Sequence, residues 1–198
     1  GFALGPRINA AGRLDDMAYG INCLLAPDLA SARVMARDLD DLNKARREIE
    51  QGMQVEAEAV LASLNLTHET LPSAIALYQQ DWHQGVIGIV AGRLKEKFHR
   101  PCIVFANGSD DNEKNTEIKG SARSIVGLHI RDLLEHISSQ HPDLILKFGG
   151  HAMAAGLSIK GQDFKKFQQI FNDTAQQWLT EEHLQSVLLS DGELPSEY

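Results

Sequence analysis

The sequence predicts an α/β protein in which one long helix precedes a sheet-and-helix domain over about residues 67–182. Two observations carry this. From Pro27 an apolar stripe recurs at helical spacing for more than thirty residues, and beyond Asn65 short apolar runs of strand length alternate with amphipathic segments. The 198 residues, 43% hydrophobic and 23% charged, are enough to bury a core. That composition excludes a disordered tail, a collagen-like chain and an end-to-end coiled coil.

The long helix is expected from Asp28 to Leu64, with Asp28 capping its first turn. Met35, Leu39, Leu42, Ile49, Met53, Val60 and Leu64 form its stripe, broken where Arg46 and Glu56 fall on it. Asp40 and Lys44 add an i,i+4 pair in the favourable order. As a single helix it would run about 55 Å at 1.5 Å per residue, a length suited to bridging two bodies. The alternative is a hairpin of two helices broken near Gly52.

After a turn at Leu71-Pro72, Ala74–Tyr78 reads as a strand, Trp82–Gly85 as a loop and Val86–Phe98 as a helix stopped by Pro101. Cys102–Phe105 is a second strand, followed by a polar loop over residues 107–115. Ile118–Ile125 reads as a strand, Ile130–Ser139 as a helix and Leu144–Phe148 as a strand. A glycine-rich turn is expected over Gly149–Gly156, then strand Leu157–Ile159 and helix Asp163–Leu179. Residues 187–192 look like one more strand entering a turn.

The formal charge of −8 argues against a sequence-blind binder of nucleic acid or of an anionic membrane. It is unevenly spread. Residues 119–180 carry seven bases and five acids, a net +2, whereas 181–198 carry five acids and no base. That pattern fits a narrow groove with a few placed cations rather than a broad basic surface. Cys23 and Cys102 lack C-x-x-C partners, which disfavours zinc and disulfide frameworks and fits a reducing cytoplasm. There is no apolar run of membrane-spanning length and no secretory leader pattern. The chain begins inside a motif without Met and reads as a piece of a longer protein.

Four segments could carry chemistry. In Lys119-Gly120-Ser121-Ala122-Arg123-Ser124, strand alternation projects Lys119, Ser121 and Arg123 together, with small residues between. Two cations and a hydroxyl on one face suit a phosphate, or else form a solvated strand face. In Phe148–Gly156, near-absence of side-chain bulk around His151 suits close approach of a ligand or tight packing under a helix. Trp82-His83-Gln84-Gly85 feeds a helix whose free N–H groups could hold an anion, and Trp82 could stack on a base or merely pack. In Gly5–Leu14, Arg7 and Arg13 flank Asn9 and could clamp a phosphate, or sit on the surface of a helix start. Asp15-Asp16 and Asp40-Asp41 have no neighbouring His and read as solvated or capping acids, not as a two-metal site. Serine- and cysteine-nucleophile signatures are absent.

Five motifs in this order resemble one family. They are G-P-R-I-N-A-A-G-R-L (Gly5–Leu14), L-N-x-x-R-R-x-I-E (Leu42–Glu50), W-H-Q-G-V-I-G-I-V-A-G-R-L (Trp82–Leu94), K-G-S-A-R-S (Lys119–Ser124) and F-G-G-H-A-M-A-A-G (Phe148–Gly156). They resemble the C-terminal half of the RecJ family, single-stranded-DNA-specific 5′→3′ exonucleases of the DHH/DHHA1 phosphoesterase superfamily. The resemblance implies a DHHA1-like domain, a mixed β-sheet flanked by helices, behind a long connecting helix. It implies a remnant of the DHH catalytic domain at 1–27, the interdomain helix at 28–66, the DHHA1 substrate-binding domain at 67–182 and the start of an OB-type domain at 183–198.

By the same resemblance, Ser121 and Arg123 would hold the 5′-terminal phosphate or its neighbour, with Lys119 beside them. His151, as the catalytic residue of this half, would touch the scissile phosphate with the Gly149-Gly150 backbone. Trp82 and His83 would line the DNA path, and Asn9 and Arg13 would support the cleft from the other side. The Mn2+ or Mg2+ ligands of the parent enzyme would lie outside this chain, so the chain alone would not cleave DNA. Implied partners are single-stranded DNA and, for repair and recombination, a single-strand-binding protein and a helicase, with no membrane. Two alternatives stand beside this reading: a DHH/DHHA1 phosphoesterase for nano-RNA or cyclic dinucleotides, and a non-catalytic module dimerising through the long helix.

Overall fold

A computed structural model describes residues 1–63, 71–108, 117–187 and 192. It contains α1 (Leu4–Leu14), α2 (Met17–Leu24), α3 (Leu29–Ser63), β1 (Ile75–Tyr78), α4 (Ile87–Phe98), β2 (Cys102–Asn107), β3 (Glu117–Arg123), α5 (Ile130–Gln140), β4 (Lys147–Gly150), β5 (Ala154–Lys160) and α6 (Phe164–Trp178). The five strands form one sheet in the order β1-β2-β3-β5-β4. β1 and β2 are parallel and the remaining pairs antiparallel, so the sheet is mixed, as the resemblance implies.

α3 is continuous for 35 residues and does not break at Gly52. Asp28 begins it as expected: its carboxylate accepts from the Ser31 N–H at 2.8 Å and the Ser31 hydroxyl at 3.0 Å. The two polar interruptions of its stripe are paired. Arg46 donates to Glu50 at 2.5 Å, the two side chains 11% and 12% exposed, and Glu56 accepts from Trp82 Nε1 at 2.7 Å. Arg46 is largely enclosed and its charge is met by Glu50, whereas Glu56 stays exposed at the edge of the stripe. At its N-terminal end α3 packs on α1, where Ala10, Ala11, Leu39 and Asn43 are buried. Further along, Met53, Ala57 and Leu61, each one turn apart, pack on α4. The stripe is thus used within the chain.

Strand alternation then divides two cores. Ile75 and Leu77 of β1 and Cys102, Val104 and Ala106 of β2 face α3 and α4. Ala76, Ile103, Phe105, Ile118, Leu157 and Ile159 face α5 and α6, where Phe105 meets Phe164 and Phe167 edge-on at 5.7 and 5.5 Å. α6 is also tied to the sheet edge, Gln168 Nε2 donating to the Ala76 carbonyl at 2.6 Å.

Two expectations are corrected. The strand anticipated at Leu144–Phe148 is β4 at Lys147–Gly150; Leu144 and Ile145 are buried anchors that lead into it. The glycine-rich turn anticipated over Gly149–Gly156 is the hairpin β4–β5, whose connection is only His151-Ala152-Met153. The hairpin fits the glycines because Gly150 has φ +149°, and a Cβ there would sit 2.4 Å from the Ala154 carbonyl oxygen. The turn is held from outside: Ser124 N–H donates to the Met153 carbonyl at 3.0 Å and Ile130 N–H to the Ala152 carbonyl at 2.9 Å. Leu64, most of the polar loop at 107–115 and residues 188–191 of the expected tail strand lie outside the described residues.

Candidate phosphate-binding face

α4 lies over β2 and the near side of β3, and beyond it the same face of the sheet is open. The register fixes what stands there. Lys119 pairs with Ser158, which pairs with Lys147; Ser121 pairs with Gly156, which pairs with Gly149. Arg123 pairs with Ala154, and the Ala154 carbonyl accepts from the His151 N–H at 2.8 Å. Pleating brings Lys119, Ser121 and Arg123 of β3 to the same face as Lys147, Gly149 and His151 along β4 and its turn. The centre of this face is low: a Cβ at Gly149 would meet nothing within 4 Å, and one at Gly156 only the Gly120 carbonyl oxygen at 3.9 Å. Gly150, the other half of the expected pair, points to the opposite face and shapes the hairpin.

Arg123 is half-buried. Its guanidinium donates to Ser121 Oγ at 3.0 Å and to the Ala122 carbonyl at 2.8 Å, and no carboxylate pairs with it among the described residues. Burial, and then the positive charge of Arg13, hold its pKa below the ordinary arginine value. Arginine stays charged regardless, so two neighbouring guanidiniums here lack a counter-charge among the described residues. The uncapped N-terminus of α4 adds its partial positive charge, with Gly88 directly against Arg123 and Ser121: a Cβ there would lie 2.9 Å from Arg123 Nη2 and from Ser121 Oγ. A bidentate fork, a hydroxyl and a helix start are complementary to a phosphate.

Arg13 reaches this place from α1. Its Nη1 donates to the Gly85 carbonyl at 3.1 Å, and α1 docks so closely that a Cβ at Gly85 would stand 1.9 Å from the Arg13 carbonyl oxygen. Asn9 is exposed one turn earlier on the Arg13 face of α1. Arg7 is not available as a clamp. It is bound to Asp40 at 2.7 Å and to the Ala3 carbonyl at 2.6 Å, and with Lys44, the larger influence, it holds the Asp40 carboxyl below its usual range. Asp16 caps α2 by accepting from the Ala18 N–H, a structural role as anticipated.

The Trp82 expectation is corrected. Trp82 is 5% exposed, packed among α3 and α4 residues with its indole N–H on Glu56; it borders the cleft beside His83 but presents too little surface to stack on a base. Loop position alone does not reveal such burial. His83 is half-buried and accepts the Gly85 N–H at its Nδ1, 3.0 Å away. With Gly12, Arg13, Gly85 and Asn107 it lines a cleft of about 510 Å³ leading from the α1 side. His151 is exposed at the hairpin tip. Sequence reasoning missed Lys147, Gly156 and Ser158. Period-two alternation through Lys147-Phe148-Gly149-Gly150-His151 would have found the first, had the strand not been ended at Phe148.

A model of the DHHA1 domain matches residues 71–177. Over 196 residues, 99% of the chain, it is 57% identical to the single-stranded-DNA-specific exonuclease RecJ of Haemophilus influenzae. It is 53% identical over 194 residues, 98% of the chain, to RecJ of Escherichia coli. In each case it covers 33% of the relative, so the chain spans about a third of the length of the curated relatives it matches. Among solved structures, RecJ of Thermus thermophilus in complex with Mg2+ superposes with a TM-score of 0.74 at 30% identity, over 90% of this chain and 26% of that one. An exonuclease RecJ bound to manganese gives 0.72 at 30% identity, over 90% of this chain and 41% of that one. With more than half of its residues matched by the domain model and its fold shared with these structures, the chain belongs to the DHHA1 domain family.

Proposed function

We propose that this chain is the strand-holding part of a single-stranded-DNA-specific 5′→3′ exonuclease, a hydrolase of the cytoplasm acting in DNA repair and recombination. The observation that carries the reading is the half-buried Arg123, bonded to Ser121, beside Arg13 and the α4 N-terminus, with no carboxylate against it among the described residues. Such a site is electrostatically incomplete until an anion enters, and a terminal phosphate supplies that anion. Ser121 and Arg123 grip it, Arg13 and Asn9 bound it from α1, and His151 with the exposed Gly149 backbone meets the next phosphate of the strand. The identity to RecJ over nearly all of the chain supports this choice of substrate. In domain terms, residues 1–27 belong to the catalytic domain's end, 28–66 connect, 67–182 hold substrate and 183–198 lead into an OB-type domain.

Among the described residues no group of three or more His, Cys, Asp or Glu is placed to hold a metal ion. These residues therefore do not fit the Mg2+ or Mn2+ found in the solved relatives. We place the divalent cation, and cleavage itself, in the remainder of the parent enzyme, with a single-strand-binding protein and a helicase as its partners. The test is Arg123→Ala in the full-length enzyme, assayed on single strands with a 5′-phosphate or a 5′-hydroxyl. The reading requires a rate loss of about tenfold or more on the phosphorylated strand and a diminished preference between the two. Unchanged rate and preference would overturn it.

A further inference from the structure

We infer that Lys119, Ser158 and Lys147 form a second phosphate subsite on the open sheet face, one that is reached only by strands longer than a dinucleotide. The inference rests on the proposed phosphate role of Ser121 and Arg123. The three residues are Cα partners in one row across β3, β5 and β4. Two strand spacings put the lysine backbones about 10 Å apart, so both ammonium groups can converge above Ser158. A cleft of about 270 Å³ lies there, lined by these three residues together with Gly120, Gly156, Phe148 and Leu157.

Ser158 supplies the independent observation. It is 7% exposed, faces the cleft because Leu157 and Ile159 on either side face the α5–α6 core, and its hydroxyl has no hydrogen-bond partner among the described residues. That hydroxyl, still reached by solvent, stands beside the cleft and is free to donate to a ligand or water placed there. Neither lysine pairs with a carboxylate among the described residues, and the next row, Glu117 against Lys160, carries one charge of each sign and ends the cationic face. A phosphodiester oxygen between the two ammonium groups, accepting from the Ser158 hydroxyl, satisfies all three.

Spacing gives the substrate class. Lys119 lies four residues from Arg123 along β3, about 14 Å in an extended strand. With a 5′-phosphate on Arg123, the adjacent phosphate of a dinucleotide falls well short of Lys119, whereas a later phosphate of a longer strand arrives there. The subsite therefore selects oligonucleotides over dinucleotides.

The test measures binding of a 5′-phosphorylated octathymidylate and a 5′-phosphorylated dithymidylate to the full-length enzyme without divalent cation. Lys147→Ala should weaken the octamer about 5- to 10-fold and lower its salt slope by about 1. Ser158→Ala, which removes no hydrogen bond among the described residues, should weaken it by a smaller factor, and Lys147→Arg should restore octamer binding. Dinucleotide affinity should be unchanged in all three. Equal loss for both lengths, or no loss for either, overturns the subsite. Arg123→Ala is the separate arm: if it leaves dinucleotide affinity intact, the primary phosphate site fails, while the length dependence of Lys147→Ala is still read independently.

Discussion

Gly85→Ala probes the joint that brings Arg13 to the phosphate-binding face. The added Cβ would lie 1.9 Å from the Arg13 carbonyl oxygen and 2.8 Å from its carbonyl carbon, where ordinary contact begins at 3.4 Å. Both obstacles are backbone, so α1 and the loop before α4 must separate by about 1.5 Å. The Arg13 Nη1–Gly85 carbonyl bond, 3.1 Å in the native chain, is then stretched beyond hydrogen-bonding distance. Steric strain of this kind costs about 1–3 kcal/mol and the lost bond about 1 kcal/mol more, for a total of about 2–4 kcal/mol. Urea unfolding should show a lower midpoint at unchanged slope. The variant should also bind a 5′-phosphorylated single strand more weakly, because one guanidinium has moved away. Gly92→Ala, where a Cβ would meet nothing within 4 Å, is the control and should not lose stability. Native stability and affinity in Gly85→Ala would refute the docking of α1 as described.

Three further outcomes follow from the same structure. Gly52→Ala should stabilise the protein by about 1 kcal/mol in thermal or urea unfolding, since the position is exposed inside a continuous helix and a Cβ there has free space. Arg100→Ala should destabilise it by about 2–4 kcal/mol, because the buried guanidinium donates to the carbonyls of Pro72, His99 and Leu184 and so fastens three segments together. Cys102 should resist iodoacetamide in the native protein, as burial pushes its thiol well above the ordinary value, while half-buried Cys23 reacts; mass spectrometry should find one adduct native and two in denaturant.

Much of this architecture could be read from residue order. The three-four spacing of Leu39, Leu42, Ile49 and Met53 marked α3, and Lys119, Ser121 and Arg123 do share a face because strand periodicity is a local property. What failed was non-local. Glu56 looked like a break in the stripe because its partner, Trp82, is 26 residues away and meets it only once the loop before α4 packs on α3, whereas Arg46 with Glu50 is an i,i+4 pair that spacing alone supplies. Loop position does not decide between stacking and packing for Trp82; its burial against α3 does. Leu144 and Ile145 have strand-like side chains but serve as anchors, whereas Gly149 and Gly150, poor strand formers, hold strand positions because β5 pairs with them. Lys147 and Ser158 joined the face only through the register of β4 on β5 and of β5 on β3, which no single segment encodes.

The central claim is that Arg123 awaits a phosphate. Its most direct test is the affinity of the native protein and of Arg123→Ala for a 5′-phosphorylated single strand, each titrated against salt. Arg123→Ala should bind about tenfold more weakly at low salt and show a log–log salt slope shallower by about 1. Identical affinities and slopes in the two proteins would contradict the account.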